Sequence, residues 1–208
     1  MARSQVSVVN RALDILGATN ITAITDASKN ARAMNRAYDP VLEDLLNKHD
    51  WSFSVKRAEL ALLTEEPLYE FSSMFALPTD FIRVIEIYPR YLRYRREGDN
   101  LLADATSLKL KYVSKISDPN KFTAEFAELL SKALAKETCF KITQSRAKES
   151  DMEEKFKKYF FWATSNDSKS SGTAQPMAED DWMVHRGYGS SEYNDAVVSE
   201  SFDYGSVS

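Results

Sequence analysis

A chain of 208 residues with one cysteine cannot close an internal disulfide, and 43% hydrophobic residues suffice for a core without covalent staples. No run approaches the roughly 18 continuous apolar residues of a membrane-crossing helix, and the N-terminus lacks the apolar centre of a signal peptide. The net charge of −4 argues against a nucleic-acid binder, yet it averages two unlike parts: residues 167–208 hold eight acids against two bases, and the remainder is mildly basic. The length suits one main domain with room for a smaller module. Cys139, beside Phe140 on a helix, is expected to pack or sit at the surface, and one cysteine constrains the redox compartment only weakly, with the reducing cytoplasm as the default.

The first helix is expected over Ser4–Leu16, with Val6, Val9, Leu13 and Leu16 on one face and Gly17 as its stop. Ile21 and Ile24 belong to a short connector. A second helix should begin near Asp26 or Ser28 and reach Lys48, because Ala31, Met34, Tyr38, Leu42 and Leu45 recur at three and four. Pro40 lies inside that pattern, so two pieces with a bend are expected. The chain then reverses at His49-Asp50-Trp51, where Trp51 and Phe53 read as core plugs. A short helical turn is expected around Val55–Leu63.

After Pro67 the pattern changes. Ile82–Tyr88 is rich in β-branched and aromatic residues. Tyr91–Arg96 and Leu108–Val113 alternate apolar with basic residues, and Glu97-Gly98-Asp99-Asn100 marks a turn before Leu101–Ala103. Three or four short antiparallel strands are predicted, one face apolar and the other basic through Arg90, Arg93, Arg95, Arg96, Lys109, Lys111 and Lys115. That basic face can be a solvated edge, a partner surface or, with Tyr91 and Tyr94 between the cations, a single-strand groove.

Asp118-Pro119 reads as a cap with proline in the first turn. On the helix that follows, Phe122, Phe126, Leu129, Leu130, Ala133, Leu134 and Phe140 share one side, opposite Glu125, Glu128, Lys132 and Ala135, with Glu137 intruding on the apolar arc. A last helix is expected from a capping box at Ser150 and Glu153, with Met152, Phe156, Tyr159, Phe160 and Ala163 on one face. Phe161 and Trp162 fall outside that stripe, so they either cover other parts of the core or face another subunit. Residues 164–175 have no period and read as a linker. Residues 176–208 are acidic and poor in aliphatics but keep Trp182, Tyr188, Tyr193, Phe202 and Tyr204, a pattern expected of an arm that orders on a partner.

No phosphate-cradling glycine loop, H-E-x-x-H or G-x-S-x-G motif occurs, and only His49 and His185 are available as imidazoles. No catalytic, cofactor-binding or metal-binding residue is therefore assigned, and no enzyme is expected, although a Ser-His-Asp set can assemble from distant residues. Glu43-Asp44 and Glu65-Glu66 read as solvated surface.

The fold expected is mainly α with a β insertion: a helical bundle from 1–66 and 117–165, a small antiparallel β module from 67–116, and a linker with an extended C-terminal arm from 166–208. In this layout the opening Val8-Val9-Asn10-Arg11-Ala12-Leu13-Asp14-Ile15-Leu16-Gly17-Ala18 resembles the start of the head-to-tail adaptors, or tail tubular A proteins, of short-tailed bacteriophages. So do Tyr38-Asp39-Pro40-Val41-Leu42-Glu43-Asp44-Leu45-Leu46, His49-Asp50-Trp51-Ser52-Phe53 and Leu77-Pro78-Thr79-Asp80-Phe81-Ile82-Arg83-Val84. The resemblance spans nearly the whole chain. It implies a virion protein of the head–tail junction, made in the host cytoplasm, forming a dodecameric ring between portal protein and tail nozzle. The ring lets DNA pass without sequence-specific binding, for genome retention and ejection, and needs no cofactor or membrane. The family pattern fixes no catalytic residues. Phe161, Trp162, Trp182, Tyr188, Tyr193 and Phe202 are expected at portal or subunit interfaces. Arg93, Arg95, Lys109 and Lys111 are expected on the surface that meets the tail or another partner. The alternatives are a small envelope-degrading hydrolase and a nucleic-acid-binding virion module.

Overall fold

The computed structural model describes residues 3–172. Its elements in chain order are α1 (Gln5–Leu16), α2 (Lys29–Lys48), β1 (Val55–Glu59), β2 (Ala61–Leu62), β3 (Ser73–Ala76), β4 (Phe81–Tyr88), β5 (Tyr94–Glu97), β6 (Asn100–Ala103), β7 (Lys109–Ser114), a 3-10 turn (Pro119–Lys121), α3 (Ala124–Thr143) and α4 (Arg146–Ser170). The architecture is mainly α with a β insertion.

Local chemistry accounts for most helix ends. Ser4 and Ser7 exchange side-chain and backbone hydrogen bonds at the start of α1, and Gly17 closes it in the left-handed conformation at φ 67°. Ser28 caps α2, Asp118 caps the 3-10 turn ahead of Pro119, and Thr123 caps α3. α2 runs unbroken through Pro40, not in two pieces. A proline removes one N–H and leaves a single carbonyl without its usual donor, and the buried stripe of Met34, Tyr38, Leu42 and Leu45 on either side keeps the turn helical.

α3 is the axis of the bundle, because α1, α2 and α4 all pack against it. Its apolar surface is therefore wider than one stripe. Ala135, expected on the outer side, is fully buried, while Phe140, expected inside, is exposed. Trp51 and Phe53 are the plugs the sequence anticipates. The Trp51 ring meets Phe126 edge-on at 5.0 Å, Phe53 meets Phe126 at 4.8 Å, and Phe122 meets it at 5.0 Å. The Trp51 indole N–H donates to the Leu45 carbonyl at 2.9 Å, so the buried ring leaves no polar atom unsatisfied.

The β region begins earlier and is larger than expected. Val55–Leu63 is not a helical turn but carries β1 and β2, and among the described residues seven strands form two antiparallel sheets ordered β1-β7-β4 and β2-β3-β6-β5. Pairing with β7 sets Ala58 opposite Leu110, and the Leu60 N–H donates to the Leu108 carbonyl, neighbours that a short stretch read alone cannot reveal. Leu60, Phe75, Leu101, Leu108, Leu110 and Tyr112 make a second core between the sheets. Val113, on the opposite face of β7, enters the helical core with Ile82 and Ile85. The three-stranded sheet thus has the bundle against one face and the second sheet against the other.

The bundle and the β layers are also tied by polar contacts. Asp80 accepts from Lys56 Nζ at 2.6 Å and from the Tyr112 hydroxyl at 2.9 Å. Burial pushes the Asp80 carboxyl up, but those hydrogen bonds outweigh it and hold it below its ordinary value; burial and Asp80 together push Tyr112 up to about 12. Between α1 and α3, Arg11 grips both oxygens of Glu128 at 2.9 and 3.0 Å. Burial raises Glu128, and hydrogen bonds from Arg11 and Lys132 more than reverse this, leaving it lowered.

Two outcomes follow. Trp51→Ala should lower the unfolding free energy by about 3–5 kcal/mol, read as a fall in the urea midpoint. The lowered Glu128 contributes stability above its ordinary value of 4.5 that is lost as pH falls through its folded value. Glu128→Gln should therefore cost up to about 1 kcal/mol at pH 7, with the gap to the parent closing in acid unfolding curves.

Candidate interaction surfaces

α4 begins at Arg146 with Ser145 as its cap, one turn ahead of the expected Ser150, and extends through Ser170 across residues read as linker. Its inner stripe is as expected: Met152 and Ala163 are buried, and Phe156, Tyr159 and Phe160 pack against the helical core. Lys132 and Lys136 of α3 lie over the Tyr159 and Phe156 rings, each at 5.0 Å. On the outer side Glu153–Lys157 and Glu154–Lys158 pair at 2.8 and 2.6 Å.

Phe161 and Trp162 are on that outer side, 75% and 50% exposed. They do not cover the core of their own chain. Trp162 leans on Tyr159 with ring centroids 5.2 Å apart, which holds its ring in place, and its indole N–H has no partner among the described residues. Trp182, Tyr188, Tyr193 and Phe202 lie outside the described residues.

The four cations expected on one strand surface are not brought together. Arg93 and Arg95 flank and enter β5 in the four-stranded sheet, and both pair with Glu70, Arg95 at 2.7 Å. Glu70 has a positive φ of 75°, as does Tyr91 at 67°, a conformation that side chains rarely adopt. The doubly anchored carboxylate explains how the first is held. Arg93 and Arg95 thus share one carboxylate and keep one net positive charge between them, while Tyr69 and Tyr91 are exposed.

Lys109 and Lys111 belong to β7 in the other sheet. With Arg57 and Arg90 they line an open cleft of ≈ 540 Å³ that also contains Glu59, Glu86 and Tyr88. Arg90 pairs with Glu86 at 2.6 Å, so Arg57, Lys109 and Lys111 supply the unpaired cations. The period-two alternation of β7 correctly put Leu108, Leu110 and Tyr112 opposite the lysines. It could not show that β5 and β7 belong to different sheets.

One polar cluster escaped the sequence reading. Asp167 is 7% exposed and accepts from Ser52 N at 3.0 Å and Ser52 Oγ at 2.8 Å, with His49 Nε2 at 3.3 Å. These are a serine, a histidine and an aspartate, but they do not form a relay. The serine hydroxyl donates to the carboxylate, so its proton is committed there and not to the imidazole. The arrangement pins the last turns of α4 to the loop after α2. A signal was present: Met152, Phe156, Tyr159, Ala163 and Asp167 continue one helical stripe into the apparent linker. Among the described residues no group of three or more His, Cys, Asp or Glu could hold a metal ion.

No protein-family model matches the chain, and no curated protein matches it significantly.

Asp167→Ala should destabilise the fold by about 1–3 kcal/mol, because two donors of Ser52 lose a buried acceptor. Hydrogen exchange should report the loss as faster opening of residues 160–170, while the α1–α3 contact keeps its protection.

Proposed function

We propose that this chain is a structural head-to-tail adaptor of a short-tailed phage virion, one subunit of a ring between portal and tail nozzle. The observation that carries the reading is the pair of aromatic anchors, Phe161 and Trp162, held on the outside of a helix whose inner stripe is already spent on the core. Large aromatics of this kind, with an unused N–H, are the residues that anchor protein interfaces. A second exposed aromatic surface, with Leu68, Tyr69 and Tyr91, belongs to the β module. Two unlike apolar surfaces on one subunit suit a head-to-tail contact and a separate partner contact better than a two-fold dimer.

The mechanism is geometric. Each subunit contributes its bundle as one wall segment of a closed ring, the β module meets the tail side, and the acidic segment 176–208 engages the portal. Such a ring completes the channel through which DNA is retained and ejected. A lining without clustered cations lets phosphates pass, since gripping them would need several lysines or arginines together. Arg93 and Arg95 stand in a different sheet from Lys109 and Lys111, so the single basic strand face on which a nucleic-acid-binding module would rest is not formed, and the cations that do gather, Arg57, Lys109 and Lys111, share their cleft with Glu59 and Glu86. The hydrogen bonding of Ser52 to Asp167 likewise gives no support to a hydrolase.

Electron microscopy of the purified protein mixed with the portal protein of the same phage should show rings seated on the portal. Phe161→Ala with Trp162→Ala should abolish the rings with little change in melting temperature, because both side chains are exposed. Deleting residues 176–208 should leave a folded chain that no longer joins the portal. Portal attachment that survives both changes would end the adaptor reading.

A further inference from the structure

The cationic cleft has an open side along β1, which is an edge of the three-stranded sheet. The Ser54 carbonyl accepts from the Ser114 N–H at 2.9 Å, and the Leu60 N–H donates to the Leu108 carbonyl at 2.8 Å. The even-numbered residues of this stretch therefore turn their backbone groups toward β7. Alternation aims the N–H and C=O of Arg57 and Glu59 the other way, where no strand pairs with β1 among the described residues. Both residues are exposed, and their side chains share the cleft with Lys111 and Lys109.

We propose that this edge takes an extended acidic segment of the tail-side partner as an added strand, with its carboxylates over Arg57 and Lys111. The inference rests on the adaptor reading, in which the β module meets the tail, and names the chemistry of what it meets there.

Charge selects the occupant. Arg90 holds Glu86 at 2.6 Å, and Glu59 stands opposite Lys109 in the ladder, so each acid of the cleft is answered by a cation. What is left is Arg57 directly facing Lys111. They form a non-hydrogen-bonded pair, the arrangement that brings cross-strand side chains closest, and like charges so placed repel. Neither has an ion pair among the described residues. A carboxylate entering from the β1 edge relieves a repulsion that the chain alone leaves unanswered.

Backbone geometry selects the form. A residue set opposite Arg57 on an added strand exchanges both backbone hydrogen bonds with it and places its own side chain on the cleft face. Alternate residues of the incoming segment thus meet the cations while their amides fill the free edge. The other edge of the sheet, β4, packs against α2, so β1 is the edge left for a partner. Charged side chains on an edge discourage neutral strands from adding there, and the same charges admit an acidic one. A nucleic-acid strand would carry its phosphates past Glu59 and Glu86 and has no amides for the edge.

Fluorescence anisotropy tests the pairing on the full-length protein, with a labelled peptide of about ten residues alternating threonine and glutamate. The peptide should bind. Arg57→Gln with Lys111→Gln should weaken it about tenfold or more, the worth of one charge-assisted contact, without lowering the melting temperature. Arg32→Gln with Arg36→Gln, on α2, removes as much charge and should leave binding unchanged. The same peptide N-methylated at its glutamates keeps every carboxylate, loses the amides that reach β1, and should not bind. No binding to the parent protein, or equal binding of the methylated peptide or of a threonine–glutamine peptide, would overturn the inference. So would tighter binding of a thymidine oligonucleotide through the same two cations. Binding that appears only after deletion of residues 176–208 would assign the edge to this chain's own acidic segment and remove the partner. On the portal, the Arg57→Gln, Lys111→Gln protein should still form rings but fail to retain the nozzle. Normal nozzle attachment would sink the inference and leave the adaptor reading standing. Absence of rings with the parent protein removes that reading instead, while the peptide result still decides what the edge accepts.

Discussion

The burial of Phe126 by three other aromatic rings is the interaction on which the rest of the molecule depends. Trp51, Phe53 and Phe122 converge on it from the loop after α2, the approach to β1 and the approach to α3. Each such pair contributes about 0.5–1.5 kcal/mol beyond the area it buries. Their greater effect is topological. They join the end of the first helical half to the start of the second, across the whole β region between them. Once Phe126 is enclosed, α3 has neighbours on three sides, and α1, α2 and α4 have a common surface to pack on.

The β module is fixed to this core through one strand. β7 sends Val113 into the bundle and Leu110 and Tyr112 into the second core, so its two faces serve two different hydrophobic clusters. This is a strand buried on both sides only over its last residues. Toward its start the bundle-side face passes into solvent, and there it carries Lys111 and Lys109. The open cationic cleft is thus a consequence of a sheet that outreaches the helices supporting it. Asp80, with Lys56 and Tyr112, stitches β1, β7 and the turn before β4 at the point where the faces exchange roles.

What remains outside these two cores carries the functional argument. α4 spends Met152, Phe156, Tyr159, Phe160 and Ala163 on α3 and is locked at its far end by Asp167. That lock ties down the end of the helix beyond Phe161 and Trp162, so the two rings do not sit on a fraying end. α2 achieves something similar with Pro40, retaining helical form while giving up one donor. Rigid elements that offer apolar anchors and unpaired polar atoms outward are suited to association, since little conformational entropy is lost when they meet a partner.

Elements whose signal is local could be read along the chain before any distant neighbour was known. The capped and periodic α1, the stripe of α4, the i,i+4 pairs beside Phe161 and Trp162, and the alternation of β7 were legible because helix and strand periods repeat within a few residues. Features that depend on distant neighbours emerged with the fold. Strand pairing turned Val55–Leu63 from an expected helical turn into a stretch carrying β1 and β2, and three surrounding helices buried Ala135 on a face that looked polar. Placement in separate sheets divided Arg93 and Arg95 from Lys109 and Lys111, and a carboxylate in an apparent linker became the partner of Ser52 and His49 more than a hundred residues away. The physical reason is the same in each case: a residue's own neighbours set its backbone period, but burial and pairing are set by whatever the folded chain brings against it.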